Sequence, residues 1–297
     1  MFQLIPKTNF DFVGKRYVCF AISACLLLAG MASLVMKKGP RWGLDFTGGS
    51  LVEVKFESAP SVEEIRKVLS DSTLPSFEIQ SVSGHGIIVR TQEKATEDAG
   101  KKIQAALMQS FAGRNPVILR KEFVGPTVGR HLFKQTALAF ILTFIGIIIY
   151  VGFRFNSPIW GAAGVVAIVH DVAATIGVFS LLDKEITVTV VAALLTIAGY
   201  SINDTIVIFD FMREKLRLLR SEPLEKVINL SINDTLSRTL ITNLLVFLVV
   251  MTLFFFGGEV IHDFAFAMVF GAIVGTYSTI GIAAPIIYEW TRIRSKR

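Results

Sequence analysis

Six apolar runs, at residues 17–36, 134–153, 159–182, 186–209, 239–256 and 264–290, decide what this chain can fold into. Each reaches or exceeds the roughly 18 apolar residues that mark a membrane-spanning helix. Lipid offers no water to backbone amides, so each run has to close its own hydrogen bonds as a helix. The composition agrees: 297 residues, 52% hydrophobic, with a mean hydropathy of +0.58. A polar-aromatic lead, 1–16, ends in Lys15-Arg16 ahead of the first run. No clear cleavage pattern follows that run, which is therefore expected to persist as an anchor.

The net charge of +6 is not read as a nucleic-acid signal, because of where the charges fall. With six spans, Lys7, Lys15 and Arg16 share one side with Arg154, with Arg213, Lys215, Arg217, Arg220 and Lys226, and with Arg292, Arg294, Lys296 and Arg297. The two short loops opposite contain a single basic residue, Lys184. The positive-inside rule makes the basic side cytoplasmic, together with both termini, a connector at 210–238 and a tail at 291–297. It places residues 37–133 outside. Cys19 and Cys25 both lie in the first run, six residues apart and on different helix faces, so they are expected to be small apolar fillers without a disulfide.

Residues 37–133 carry the composition of a soluble domain. Val52, Val54 and Phe56 alternate with Glu53, Lys55 and Glu57, the period of a half-buried strand. Ser61-Val62-Glu63-Glu64 is a capping box, and Val62, Ile65, Val68 and Leu69 form one helical face. Residues 77–82 and 86–91 predict a hairpin around Ser83-Gly84-His85, with His85 a solvated turn residue. A second helix is expected over 96–111, acidic in its first turn, with Ile103, Ala106, Leu107 and Ser110 on one side. A last strand follows at 117–124. The order βαββαβ predicts a ferredoxin-like α+β domain between the first two spans of an α-helical polytopic membrane protein.

Asp204 is the most demanding residue. An ionised carboxylate inside a span costs a few kcal/mol on insertion scales, so such groups face protein or water and mark pathways. Asp204 sits about 9 Å of helix rise from the cytoplasmic end of the fourth span, in Gly199-Tyr200-Ser201-Ile202-Asn203-Asp204-Thr205. Tyr200 and Ser201 lie one turn earlier on the same face. Arg238, with Thr239, Thr242 and Asn243 behind it, enters the fifth span at a depth where it can meet Asp204. A carboxylate that exchanges an arginine neighbour for a dry one loads and unloads a proton; a static ion pair or a snorkelling arginine are the alternatives. His170-Asp171, in the middle of the third span, are expected to line a polar interior as a relay or a hydrogen-bonding pair. Asp210 lies at the membrane exit, where a solvated role is expected. The segment Ser201–Thr205 recurs as Ser231–Thr235 in the polar connector, where it carries no mechanism of its own.

Several of these stretches also form a pattern in chain order. Phe10-Asp11-Phe12, the glycine-bearing Trp42-Gly43-Leu44-Asp45-Phe46-Thr47-Gly48-Gly49, Val124-Gly125-Pro126-Thr127-Val128-Gly129, His170-Asp171, the 199–207 stretch and Ser237-Arg238-Thr239-Leu240-Ile241-Thr242 resemble the SecD/SecF translocation proteins. The last two are closer to the SecF branch, and the likeness spans nearly the whole chain. The resemblance implies half of an architecture related to the resistance-nodulation-division (RND) exporters. It implies a bacterial inner-membrane subunit that pairs with a SecD-like protein and uses the proton motive force to promote late stages of preprotein translocation.

On the same resemblance the proton pathway maps to Asp204 and Arg238; the polar residues read within the spans, His170, Asp171, Tyr200, Ser201, Asn203 and Thr242, are secondary candidates. The implied partners are the SecD-like protein, the SecYEG translocon, YajC and YidC, the unfolded exported polypeptide and membrane lipid, with no nucleic acid. Two positions depart from the family pattern: Phe211 after Asp210, where an arginine is usual, and His131, where a glutamate is common. No nucleophile–base pair, metal-ligand spacing or phosphate loop is found, so neither an enzyme nor a cofactor is expected beyond protons as coupling ion. A proton-driven RND-type exporter subunit for small molecules or lipids, and a passive translocon scaffold, stay open as alternatives.

Overall fold

A computed structural model of the chain describes residues 8–70, 77–82, 85–91, 97–155 and 157–295. Lys7, the Ser83-Gly84 step of the expected hairpin, Thr96 at the start of the expected second helix, and Lys296-Arg297 lie outside them. In chain order the elements are α1 (Arg16–Met36), α2 (Leu44–Thr47), β1 (Gly49–Lys55), α3 (Val62–Ser70), β2 (Glu78–Val82), β3 (Gly86–Thr91) and α4 (Glu97–Ser110). Then follow β4 (Val117–Val124), α5 (Pro126–Phe155), α6 (Pro158–Leu181), α7 (Val188–Leu218), α8 (Leu224–Phe256), α9 (Glu259–Ser278) and α10 (Ala284–Ser295). A π-helical turn, Thr279–Ala283, joins α9 to α10. The chain divides into a helical unit, 1–41 with 138–297, and an α/β unit, 42–137.

In the α/β unit the strands lie in the order β2-β3-β1-β4, every neighbour antiparallel, which is the ferredoxin-like arrangement. Val52, Val54 and Phe56 of β1 face a core with Ile65 and Leu69 of α3, Ile87 and Val89 of β3, and Ile103 and Leu107 of α4. β1 is more buried than a half-buried strand: Glu53, on its other face, is buried too. The reason is position, since β1 is central and Glu53 lies between Ile88 and Arg120 on the flanking strands. Leu107 is fully buried, so Leu107→Ala is expected to cost this unit about 2–5 kcal/mol, read by hydrogen exchange of the α4 amides.

The capping box forms as its spacing requires. The Ser61 backbone N–H donates to Glu64 Oε2 at 2.8 Å, and the Glu64 N–H donates to Ser61 Oγ at 3.1 Å. The Ser61 amide, and then Arg114 at 3.0 Å, hold the Glu64 carboxyl below its ordinary value of 4.5. A carboxylate lowered on folding supports the fold above its unfolded value and stops doing so as pH falls through the lowered one. Exchange protection at the start of α3 is therefore expected to be level above pH 4.5 and to fall on acidification below it. Glu64→Gln should abolish that dependence.

The family's glycine stretch lies where backbones crowd. Gly48 and Gly49 have φ of +71° and +126°, which side chains rarely adopt. A Cβ on Gly48 would also stand 3.2 Å from the Val124 oxygen, and one on Gly129 would stand 2.9 Å from the Phe46 oxygen. The two glycine motifs, far apart in sequence, thus pack on each other, with Trp42, Phe46 and Phe133 edge to face beside them.

Among the described residues six helices are long and apolar enough to cross a membrane, α9 and α10 counting as one. They outrun the apolar sequence: α7 continues to Leu218 and α8 begins at Leu224, so most of the 210–238 connector is helix. More than half of the apolar window of α6, α7 and α9–α10 is buried, against 17% for α1 and α8 and 6% for α5. The first three form the centre of the unit. α1 packs on α6 through bare backbone, where Gly30 meets Gly177, and Ser33 Oγ lies 2.8 Å from Ser180 Oγ. Cys19 and Cys25 are both free.

The connector's repeat, Ser231–Thr235, turns out to be an anchor. Asn233 accepts from the Phe10 N–H and donates to the Phe10 oxygen, both at 2.9 Å. Asn229 accepts from the amides of Phe12 and Val13 and donates to Asp11 at 2.8 Å. The chain before α1 is thereby tied to α8. At this end Arg16 pairs with Glu289 at 2.5 Å, its guanidinium lying over the rings of Tyr17 and Tyr288. At the opposite end of α1 and α6, Lys37 and Arg41 meet Asp183 at 3.1 and 3.0 Å.

Candidate functional site

Two polar clusters flank α7. The helix has 3.6 residues per turn, so adjacent Tyr200 and Ser201 point about 100° apart and reach different neighbours. Ser201 turns to α6, where its hydroxyl donates to Asp171 Oδ2 at 2.6 Å. Ser278 of α9 donates to the same oxygen at 2.8 Å, and His170 Nδ1 lies 3.0 Å from Asp171 Oδ1. Asp171 is 0% exposed and His170 5%. The hydroxyls of Thr205 and Thr279 lie 3.1 Å apart beside this group.

The second cluster holds Asp204, which is 4% exposed. Its polar neighbour on α8 is the Asn243 side chain. Asn243 also accepts from the Tyr200 hydroxyl and donates to Thr276 Oγ1 at 2.6 Å. One carboxamide therefore links α7, α8 and α9 around the carboxylate. A cavity of about 390 Å³, lined by Leu240, Leu244, Phe247, Ala272 and Ile273, opens beside Asn243 and Thr276.

The expected meeting of Asp204 with Arg238 does not take the form of an ion pair. Among the described residues none within 4 Å joins them; Arg238 is exposed and acts on Asp204 through space. The cause is helical phase. α8 is continuous through this region, and five residues from Arg238 to Asn243 turn the helix by about 140°. With Asn243 toward Asp204, Arg238 faces away. Thr242 spends its hydroxyl on the Arg238 oxygen at 2.9 Å, and Asn203 is exposed, so neither belongs to the cluster. Asp210 receives Arg154 at 2.8 Å at the partly exposed membrane exit, beside a half-buried Phe211. His131 is exposed and within 3.4 Å of Gln135.

Sequence reasoning passed over Thr276, Ser278 and Thr279. The signal for them was present: Thr276-Tyr277-Ser278-Thr279 interrupts an otherwise apolar run. They were harder to place because the turn after Ser278 is π-helical, which breaks the periodicity used to read faces. Among the described residues no group of three His, Cys, Asp or Glu side chains is placed to hold a metal ion.

The comparisons with known proteins agree with this architecture. Residues 103–293 match the family described as "Protein export membrane protein SecD/SecF, C-terminal", and residues 34–60 match the "SecD/SecF GG Motif". The protein translocase subunit SecF of Endomicrobium trichonymphae is 44% identical, over 99% of this chain and 96% of its own length. The SecF of Vibrio alginolyticus is 40% identical, over 96% and 91%. The crystal structure of SecDF, a translocon-associated membrane protein from Thermus thermophilus, is similar with a TM-score of 0.87 at 35% identity. It is matched over 98% of this chain, which spans 40% of that longer one. A structure of SecDF in a super-membrane-facing form matches with a TM-score of 0.71 at 34% identity, over all of this chain and again 40% of the other. With its membrane-length helices, the chain is a multi-pass membrane protein. It belongs to the SecF family of protein translocase subunits.

Proposed function

We propose that this chain, paired with a SecD-type partner, couples the proton motive force to late stages of preprotein translocation across the bacterial inner membrane. The observation that carries the reading is Asp204: a buried carboxylate in a membrane helix, beside the neutral Asn243 side chain, with Arg238 acting on it through space and no ion pair to it among the described residues. Such a group binds a proton while its neighbours are neutral and releases it when a cation approaches. Rotation of α8 that exchanges Asn243 for Arg238 beside Asp204 supplies that approach. Each proton crossing 100 mV contributes about 2.3 kcal/mol, so a few per cycle are enough to drive such a rearrangement.

The SecYEG translocon, YajC and YidC are the further partners in this reading, and an unfolded exported chain is the cargo. Both termini and the basic flanks lie in the cytoplasm, and the α/β unit lies outside. The chain contributes no catalytic group; Asp204 and Arg238 exchange the proton, and Tyr200, Asn243 and Thr276 hold the neutral state. The test is Asp204→Asn, assayed for protonophore-sensitive export of a preprotein into inverted membrane vesicles. Loss of that sensitivity with the complex intact supports the reading, and unaltered sensitivity overturns it.

A further inference from the structure

Asp171 is the most completely buried carboxylate in the helical unit, and the mechanism above does not use it. Its Oδ2 accepts from Ser201 and Ser278, and its Oδ1 faces His170 Nδ1 at 3.0 Å. The other imidazole nitrogen, His170 Nε2, is buried without a hydrogen-bond partner. Among the described residues no lysine or arginine forms an ion pair with Asp171. The elements packed most extensively on α6 are α1, α7, α9, α10 and the π turn, while α5 meets it at Gly161 and Trp160, toward its start. Among their uncharged titratable groups, Tyr277 donates its hydroxyl to the Cys19 oxygen at 2.5 Å with its ring 6.2 Å from that of His170, Tyr288 is bound to Glu225, Tyr200 to Asn243 and Tyr17 to Glu289, while Cys25 is exposed and His262 lies against Asp263. Asp204 lies beside Asn243 of α8, Asp210 is paired with Arg154, Lys215 with Asp234 and Asp263 with Lys184, Arg213 donates to the Arg154 oxygen, Arg16 and Arg292 are paired with Glu289, and Glu214, Arg217 and Arg294 lie exposed.

From this geometry we infer that His170 and Asp171 form a second proton-binding site, separate from Asp204, that holds one proton between Nδ1 and Oδ1. The inference rests on the proton-coupled reading above and extends it to a second carboxylate. An ionised Asp171 beside a neutral imidazole would leave a net negative charge with no exposed surface, and burying an uncompensated charge is strongly unfavourable. One added proton makes the unit neutral, either as carboxylic acid with imidazole or as carboxylate with imidazolium. The two serine hydroxyls suit loaded and empty states alike, because each donates one hydrogen bond and accepts two.

The surrounding backbone is built around the same point. Ser278 and Thr279 are consecutive and both 0% exposed. A π turn begins at Thr279, and such turns recur at functional sites. Thr279 continues the hydroxyl line to Thr205, the residue after Asp204.

The test is pH-difference infrared spectroscopy of the full chain with its partner in lipid vesicles, in H₂O and D₂O, between about pH 5 and 8. The wild type is expected to show a band from this pair, carboxylic C=O or imidazole ring, that is lost in Asp171→Asn and moved in midpoint by His170→Gln. Asp204→Asn is expected to leave that band in place. Should Asp171→Asn fail to fold, Asp171→Glu keeps the carboxyl and shifts its midpoint. Spectra unchanged by substitutions at both 170 and 171 overturn the inference, since a static hydrogen-bond hub has no proton to titrate. Export plays no part in this measurement, so a missing band leaves the Asp204 reading standing, and protonophore-sensitive export by Asp204→Asn overturns only that one.

Discussion

Replacing Asp204 by Asn is expected to leave the helical unit folded and paired with its partner while removing the proton-dependent share of export. Asn has nearly the same shape, and the hydrogen bonds from Tyr200 to Asn243 and from Asn243 to Thr276 do not involve residue 204, so that network persists. Insertion becomes easier, because the ionised carboxylate at a helix centre costs about 2.5–3.5 kcal/mol on insertion scales. What is lost is the ability to change charge. At 100 mV each undelivered proton removes about 2.3 kcal/mol of drive, a factor of nearly 50 in any equilibrium that the proton biases. The comparison that settles it is export with and without protonophore. Wild type should slow on addition; Asp204→Asn should be slow already and indifferent to it. Arg238→Gln is expected to behave similarly, whereas a passive scaffold would tolerate both substitutions at wild-type rates.

The second large effect is structural. Gly177→Leu is expected to destabilise the packing of α1 on α6 by about 3 kcal/mol, the upper end for overpacking. A Cβ at Gly177 would fall 2.9 Å from the Gly30 Cα, and one at Gly30 would fall 2.7 Å from the Gly177 Cα. Each obstacle is backbone, which cannot rotate away as a side chain would. Small residues allow such approach between membrane helices, where packing rather than the hydrophobic effect holds the pair. Separating the helices also breaks the Ser33–Ser180 hydrogen bond, a loss averaging about 0.6 kcal/mol in membrane bundles. Thermal unfolding in detergent provides the measurement. Ala173→Leu, on the exposed face of α6, serves as the control and should leave the midpoint in place. Equal midpoints for Gly177→Leu and the control would mean that the glycine contact is not what holds α1.

Particular residues show how far the sequence could be read. The Ser61–Glu64 capping box, the Val52-Val54-Phe56 alternation and the apolar faces of α3 and α4 are local signals, and each appears where its spacing placed it. Similar depth allows Asp204 and Arg238 to meet, but whether they do depends on the phase of α8, which sequence separation alone does not supply. The Ser231–Thr235 repeat looked idle because the partner of its Asn233, Phe10, is more than 200 residues away. The Thr276–Thr279 run was legible as polar, but the π turn concealed which way it faced.

Six spans, an α/β unit between the first two, and two buried acidic positions follow from the amino-acid sequence by itself. Backbone hydrogen bonding, hydropathy and the cost of charge in lipid act within one helix or one hairpin, so they leave their mark in short stretches of chain. The company each carboxylate keeps was decided only by the tertiary structure. One residue of phase on α7 sends Ser201 to Asp171 and Tyr200 to Asn243, and five residues on α8 separate Arg238 from the site its position suggested. Those outcomes depend on how rigid helices rotate against one another, a property no single helix carries.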